Sequence, residues 1–193
     1  MPNTAEASGI SLEDYLDGER HSEIKHEYVA GQVFAMAGAT EAHATVALNV
    51  ATLLRNHVRG GPCRVYISDM KVRVDPSDSA FYPDVFVTCH PDDATAPLMK
   101  RHPTLIIEVL SDSTAAFDRG AKFAHYRQLT TLVEYVLIEP ERMAIDVFRR
   151  ADQGRWILEP VGMGETLRLG SVDFACPIES VYEDVTLPAS TAP

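Results

Sequence analysis

The most informative stretch of the sequence is Leu105-Ile106-Ile107-Glu108-Val109-Leu110, which is apolar at every position but one. A short, nearly uninterrupted apolar run is typical of a β-strand covered on both faces. Glu108 shares a strand face with Ile106 and Leu110, so its side chain is expected to point into covered space. A buried carboxylate is costly unless it is paired or ligated, which makes Glu108 a candidate functional residue. The alternatives are an internal ion pair or a solvated sheet edge.

Helix and strand patterns surround this stretch on both sides. Helices are predicted over residues 11–25, 40–58 and 114–129. Strands are predicted over residues 28–29, 32–36, 65–74, 85–88, 133–138 and 143–149. A buried strand followed by a crossover helix and another strand indicates an α/β or α+β domain around a mixed β-sheet.

Length and composition are those of one cytoplasmic domain. The 193 residues are 46% apolar and 23% charged, which excludes a disordered chain. Residues 1–10 and 186–193 are predicted to be loose extensions of a single domain over 11–185. No apolar run reaches the roughly 20 residues of a membrane span, and the N-terminus does not resemble a signal peptide.

The cysteines favour a reducing compartment. Cys63, Cys89 and Cys176 are far apart and form no CxxC pair, so neither a disulfide framework nor structural zinc is expected. The adjacent Cys89 and His90 lack a second pair at ligand spacing, which argues against a soft-metal site.

The net charge limits the contact with nucleic acid. Seventeen basic and 28 acidic residues give a net charge of −11, whereas proteins that hold nucleic acid mainly through phosphates are usually basic. A high-affinity scaffold is therefore disfavoured. An enzyme that binds DNA weakly and through a cation remains compatible with this charge.

Two further residues are candidates for a site with Glu108. Asp84 follows Pro83 at the head of a short strand; alone it is best interpreted as a turn residue, but adjacent strands can bring it to Glu108. Two converging carboxylates call for a cation, and hard oxygen ligands suit Mg²⁺ or Mn²⁺. Lys122 shares a face of the predicted helix 114–129 with Asp118, and the alternative there is a surface ion pair worth about 0.3–0.5 kcal/mol.

Several motifs in order resemble the PD-(D/E)XK nuclease superfamily, and within it the bacterial Uma-type restriction endonuclease domain. The resemblance covers roughly residues 11–180. The motifs that carry it are His26-Glu27-Tyr28-Val29-Ala30-Gly31, His43, Tyr82-Pro83-Asp84-Val85-Phe86-Val87, Ile107-Glu108-Val109-Leu110-Ser111-Asp112-Ser113-Thr114, Asp118-Arg119-Gly120-Ala121-Lys122, Tyr126-Arg127 and Glu134-Tyr135-Val136-Leu137-Ile138. It implies a restriction-endonuclease-like fold, with a central mixed β-sheet flanked by helices.

The resemblance also implies roles for individual residues. Asp84 and Glu108 would ligate Mg²⁺ or Mn²⁺, and Glu27 would complete the metal shell. Lys122 would orient the attacking water or stabilise charge on the phosphate. His43 and Tyr126 are expected to line the site.

This sequence departs from the family pattern at several positions. Leu110 stands two residues after Glu108, where the superfamily has its lysine, so only Lys122 can serve. Asp112 replaces the usual proline, and Ala30 and Gln32 replace acidic residues.

The expected function is Mg²⁺-dependent endonucleolytic hydrolysis of DNA phosphodiester bonds. One alternative is a catalytically silent binding or assembly module, for example a homodimer formed through an exposed sheet face. Another is a metal-dependent hydrolase of a smaller substrate. Fold resemblance alone does not separate these classes.

Overall fold

The computed structural model describes residues 5–188. The helices are α1 (Leu12–His21), α2 (Glu41–His57), α3 (Pro91–Thr95), α4 (Ala115–Phe117) and α5 (Phe123–Tyr126). The strands are β1 (Ala7–Ser8), β2 (His26–Val29), β3 (Gln32–Ala35), β4 (Arg64–Ile67), β5 (Lys71–Val74), β6 (Ser79–Phe81), β7 (Val85–Thr88), β8 (Met99–Lys100), β9 (Pro103–Val109), β10 (Glu134–Glu139), β11 (Ala144–Arg150), β12 (Trp156–Gly162), β13 (Thr166–Leu169) and β14 (Phe174–Pro177).

The described residues form two six-stranded mixed sheets and one hairpin. Sheet 1 has the strand order β1-β3-β2-β6-β5-β8, and sheet 2 has the order β12-β11-β10-β9-β7-β4. Each sheet contains one parallel pair, β5 with β8 and β9 with β10, among antiparallel neighbours. The hairpin pairs β13 with β14. The predicted α+β class is confirmed, and the second large sheet is an addition to it.

Sheet 2 is covered on both faces, and β9 lies near its middle. On one face the α2 side chains Val46, Val50 and Leu54 pack against Ile107 and its neighbours. On the other face Ile106 packs with aromatic residues of α5 and with strands of sheet 1. The apolar run around Glu108 therefore forms the doubly covered strand that its composition predicts.

Side-chain caps begin the two longer helices. Ser11 accepts a hydrogen bond from the Asp14 backbone N–H at the start of α1. Thr40 does the same for the His43 N–H at the start of α2. These caps satisfy backbone donors that have no partner within the helix.

Two predicted elements are divided in the structure. The strand expected over 65–74 is two strands in different sheets, because a turn closed by Met70 N–H and Ile67 carbonyl separates β4 from β5. The helix expected over 114–129 is interrupted by a π-helical segment, Asp118–Lys122, between α4 and α5. Such segments are rare and frequently lie at functional sites.

The ends of the chain are partly integrated into the fold. Ala7 and Ser8 pair with Val33 and Gln32, so this part of the predicted N-terminal extension belongs to sheet 1. Leu187 packs against the main core. Residues 1–4 and 189–193 of the predicted extensions lie outside the described residues. No helix between residues 5 and 188 has the length and apolarity that a membrane span requires.

The prediction that the cysteines form no disulfide is wrong. Cys63 and Cys89 are bonded, with a Cα–Cα distance of 3.9 Å. The antiparallel register pairs Arg64 with Thr88, so the cysteines flanking this pair face each other although 26 residues separate them in sequence. Because this bond is present, the cysteines do not indicate a reducing compartment, and the cytoplasmic location stays a prediction.

Candidate active site

The pairing of β7 with β9 brings Asp84 and Glu108 together. Val85 pairs with Ile107 in an antiparallel register. Asp84, one residue before Val85, therefore lies opposite Glu108, one residue after Ile107. Glu108 Oε2 accepts a hydrogen bond from the Asp84 backbone N–H at 3.3 Å, and Asp84 Oδ2 accepts one from the Val109 N–H at 2.7 Å. The backbone of the sheet therefore holds both carboxylates.

Lys122 lies between three carboxylates. Its Nζ is 3.0 Å from Glu108 Oε1, 2.9 Å from Glu27 Oε1 and 3.6 Å from Asp118 Oδ1. Lys122 is only 5% exposed, and Asp118 and Glu108 are 4% and 3% exposed. The Asp118–Lys122 pair is thus buried rather than at the surface. A buried ammonium requires this compensation, because an unpaired one costs several kcal/mol.

Burial and the neighbouring charges shift the pKa values of Glu108 and Lys122. Burial raises the pKa of Glu108 well above its usual value, and Asp118, Asp84 and Glu27 add to the rise although Lys122 opposes it. Burial lowers the pKa of Lys122, but the surrounding carboxylates outweigh burial and hold it well above its usual value. Lys122 therefore stays charged, while Glu108 retains a proton to higher pH than an ordinary glutamate.

The two residues expected to line the site occupy different positions. His43 Nε2 lies 3.3 Å from Asp84 Oδ2; burial lowers its pKa, but the Asp84 carboxylate outweighs burial and raises the pKa overall. Tyr126 is fully buried behind Glu108 and donates its hydroxyl to Glu108 Oε1 at 3.0 Å. His43 faces the cleft described below, whereas Tyr126 contacts the cluster from the core.

The cluster opens into a cleft of about 730 Å³. Its wall includes the site residues Glu27, His43, Asp84, Glu108, Asp118 and Lys122. Further along, the wall is largely apolar and is formed by α2, the end of β3 and the loop that follows β3. All of the sequence-predicted site residues except Tyr126 therefore meet at one cleft.

The sequence did not predict that Asp118 belongs to the site, where it lies beside Lys122. The sequence places it four residues before Lys122 on one helix face, which is the spacing of an ordinary surface pair. The signal that distinguishes it is its position between the motif of Glu108 and Lys122. Its burial depends on how the π-helical segment packs against sheet 2.

The donor set of the cleft fits a hard divalent cation. Of its four clustered carboxylates, those of Glu27, Glu108 and Asp118 share the ammonium of Lys122, and that of Asp84 lies beside His43. Glu27 Oε1 is buried and accepts no hydrogen bond within residues 5–188, although the Lys122 ammonium is its ion-pair partner. Excess negative charge and oxygen-only ligands suit Mg²⁺ or Mn²⁺.

Comparison with known proteins identifies the family. The model of the Uma2 family, described as "Putative restriction endonuclease", matches residues 12–178, and the chain belongs to this family. Two uncharacterized proteins of Synechocystis sp. are similar: slr1290 is 35% identical over 173 residues, which are 90% of this chain and 91% of that protein. The other, sll1609, is 31% identical over 162 residues, which are 83% and 91% of the two chains.

A solved structure has the same fold. The crystal structure of "a putative nuclease belonging to DUF820" from Anabaena variabilis matches with a TM-score of 0.74 and 16% sequence identity. The match covers 90% of this chain and 98% of that one. The predicted family and the restriction-endonuclease-like fold are thereby confirmed.

Proposed function

We propose that this protein is a metal-dependent nuclease that hydrolyses phosphodiester bonds of DNA in the acidic cleft. The observation that carries the proposal is the convergence of Asp84, Glu108 and Lys122 at one point of the cleft wall. The family description "Putative restriction endonuclease" supports phosphodiester hydrolysis. The similar structure from Anabaena variabilis, described as a putative nuclease, supports the same reaction class.

Asp84 and Glu108 would hold Mg²⁺ or Mn²⁺, with Glu27 as an additional ligand. When bound, such a cation supplies Lewis-acid stabilisation of the charge that develops on a phosphodiester. Asp84 is preorganised for this task by the Val109 N–H, and Glu108 by the Asp84 N–H and the Tyr126 hydroxyl. Preorganised ligands lose little freedom when the cation enters.

Lys122 would place its positive charge beside the reacting phosphate. Its raised pKa keeps it protonated at neutral pH, so it serves as a donor that orients the attacking water or neutralises the phosphate, and not as a base. The ion pairs of Lys122 with Glu27, Glu108 and Asp118 hold its ammonium at the cleft wall, beside the carboxylates that would bind the cation.

A silent binding module is the second candidate. Among residues 5–188, the cleft wall carries two cations, Lys25 and Lys122, against five carboxylates, and the whole chain has a net charge of −11. This balance disfavours DNA binding without a cation. A homodimer is compatible with either candidate.

The test is cleavage of supercoiled and single-stranded DNA in Mg²⁺, Mn²⁺ or EDTA. The proposal predicts cleavage by the wild type in the metals and none in EDTA. Glu108→Gln is expected to lower the rate by on the order of 10²-fold or more, because it removes a charged ligand at the reacting centre.

Asp112→Asn is the matched control, because it converts an exposed carboxylate near the cleft to an amide without touching the cluster. Cleavage that is equal in all three proteins would indicate a contaminating nuclease. Absence of cleavage together with Mg²⁺ binding that Glu108→Gln abolishes would favour the silent module or a smaller substrate.

A further inference from the structure

We propose a second cation site, formed by His90, Asp92 and His102 and selective for transition metals such as Zn²⁺. The three side chains each present one ligand atom, and these atoms lie within 4.8 Å of one another. The two imidazole rings are stacked, with centroids 4.0 Å apart and an interplanar angle of 19°. Two nitrogens and one carboxylate oxygen form a typical three-residue zinc set that leaves a fourth position open.

Closure around an ion requires these side chains to rotate, including that of His90, whose Nδ1 accepts a hydrogen bond from the Asp92 backbone N–H at 3.3 Å. Ligand atoms of a zinc ion lie about 2.0–2.2 Å from the metal, so neighbouring ligands must approach more closely than they do here. The side chains of His90, His102 and Asp92 are 38%, 30% and 73% exposed, which leaves them room to rotate and leaves a path for the ion.

A buried carboxylate already orients His102. Nδ1 of His102 lies 3.3 Å from Oδ1 of Asp93, which is 1% exposed. Asp93 is held by the Thr88 hydroxyl at 2.7 Å and by the backbone N–H groups of Arg101 and His102. Donation from Nδ1 to this carboxylate leaves Nε2 with its lone pair, which is the arrangement of a metal-binding histidine with its supporting carboxylate.

This site is separate from the acidic cleft and differs from it chemically. His90 lies two residues beyond β7, at the end of that strand opposite Asp84, and the four residues of β7 alone span about 13 Å at 3.3 Å per residue. None of the three ligands lines the cleft. Imidazole nitrogens favour Zn²⁺, Ni²⁺ or Cu²⁺, whereas the all-oxygen cluster favours Mg²⁺. Cys63 and Cys89 are tied to each other and do not compete for the ion.

A cation at this site would tie together the two ends of residues 90–102, the segment that contains α3 and β8. Because the ion would bind the folded chain through both ends, it is expected to stabilise that segment. The site thus has a readout that is independent of nuclease activity.

The experiment is calorimetric titration of the oxidised, chelator-treated protein with ZnCl₂ in excess Mg²⁺, which competes with Zn²⁺ for the proposed oxygen site. The wild type is expected to bind about one Zn²⁺, and Zn²⁺ is expected to raise its melting temperature. His102→Ala and Asp92→Asn are each expected to weaken binding by about tenfold or more. His21→Ala, which removes an exposed histidine elsewhere, is expected to bind like the wild type.

Circular dichroism establishes that each variant is folded, and the exposed Asp92 offers a variant that does not disturb the fold. Absence of Zn²⁺ binding to the folded wild type would overturn the proposal. Equal binding by the wild type, Asp92→Asn and His102→Ala would also overturn it, because zinc would then lie elsewhere.

Discussion

Asp84 and Glu108 are locked to each other through the backbone of two neighbouring strands. The Asp84 N–H donates to the Glu108 carboxylate, and the next backbone N–H after Glu108, that of Val109, donates to the Asp84 carboxylate. The separation of the two acids is therefore set by the register of β7 on β9, and not by flexible loops. A site on strands holds its ligands more accurately than one on loops.

Mg²⁺ binding is predicted to strengthen as the pH rises. The pKa of Glu108 is raised by burial and by three nearby carboxylates, so the metal-free protein holds a proton there that a cation must displace. Affinity should increase from the ordinary glutamate pKa upward, with release of about one proton per ion, and level off above the raised pKa. Calorimetry in two buffers of different ionisation enthalpy measures the proton release.

Asp112→Asn should show the same pH profile, since this exposed residue lies outside the cluster. An affinity that does not change with pH, with no proton release, would mean that Glu108 is already ionised in the free protein.

His43→Gln is predicted to destabilise the metal-free protein at low pH. The Asp84 carboxylate raises the pKa of His43 above the ordinary histidine value of 6.5. The stabilisation of the folded state by this charged pair is therefore complete at pH values below 6.5. The contribution, about 1 kcal/mol, is lost as the pH rises through the raised pKa. Urea unfolding of both proteins across this range measures the difference.

Asp84→Asn supplies the control for this experiment. In that background His43→Gln should have no pH-dependent effect, because the charged partner is gone. A destabilisation by His43→Gln that is the same at every pH would show that packing, and not the ion pair, is responsible.

Tyr126→Phe is predicted to weaken metal binding by about tenfold while leaving the fold intact. The variant removes the hydroxyl that donates to Glu108 Oε1 and so loosens one ligand. Tyr135→Phe is the matched control, because its buried hydroxyl donates to the Asp118 carbonyl and not to Glu108. Equal metal affinity of the two variants would contradict a positioning role for Tyr126.

Removal of the disulfide is predicted to lower the free energy of unfolding by about 3 kcal/mol. The bond closes a loop with a sequence separation of 26 residues, and the loss of this constraint favours the unfolded chain. Unfolding of the Cys63→Ser, Cys89→Ser double variant measures the effect. Thiol titration of the denatured, unreduced protein should find only Cys176 free, and reaction of all three cysteines would contradict the bond.

Local pattern predicted much of the site. The apolar run around Glu108 predicted a doubly covered strand, and strand parity predicted the face on which Glu108 lies. The helices predicted over residues 11–25 and 40–58 begin at Ser11 and Thr40, and these two side chains cap α1 and α2 in the structure. The order of the motifs that resemble the nuclease family predicted that Lys122 lies in the same site as Glu108.

Features that depend on distant contacts could not be predicted. The disulfide requires the register of β4 on β7, which brings together Cys63 and Cys89 from separate parts of the chain. The division of residues 65–74 depends on which sheet each half joins. The burial of Asp118 results from the π-helical segment, whose extra residue per turn leaves no clear mark in the periodicity.

Anomalous diffraction from crystals containing Mn²⁺ shows directly whether Asp84 and Glu108 share a divalent cation. We expect an anomalous peak in contact with both carboxylates in the wild type, and no peak there in Asp84→Asn. A wild-type crystal with Mn²⁺ bound elsewhere, and Lys122 still paired with Glu27 and Glu108 in a metal-free cluster, would show that the two residues do not form a metal site.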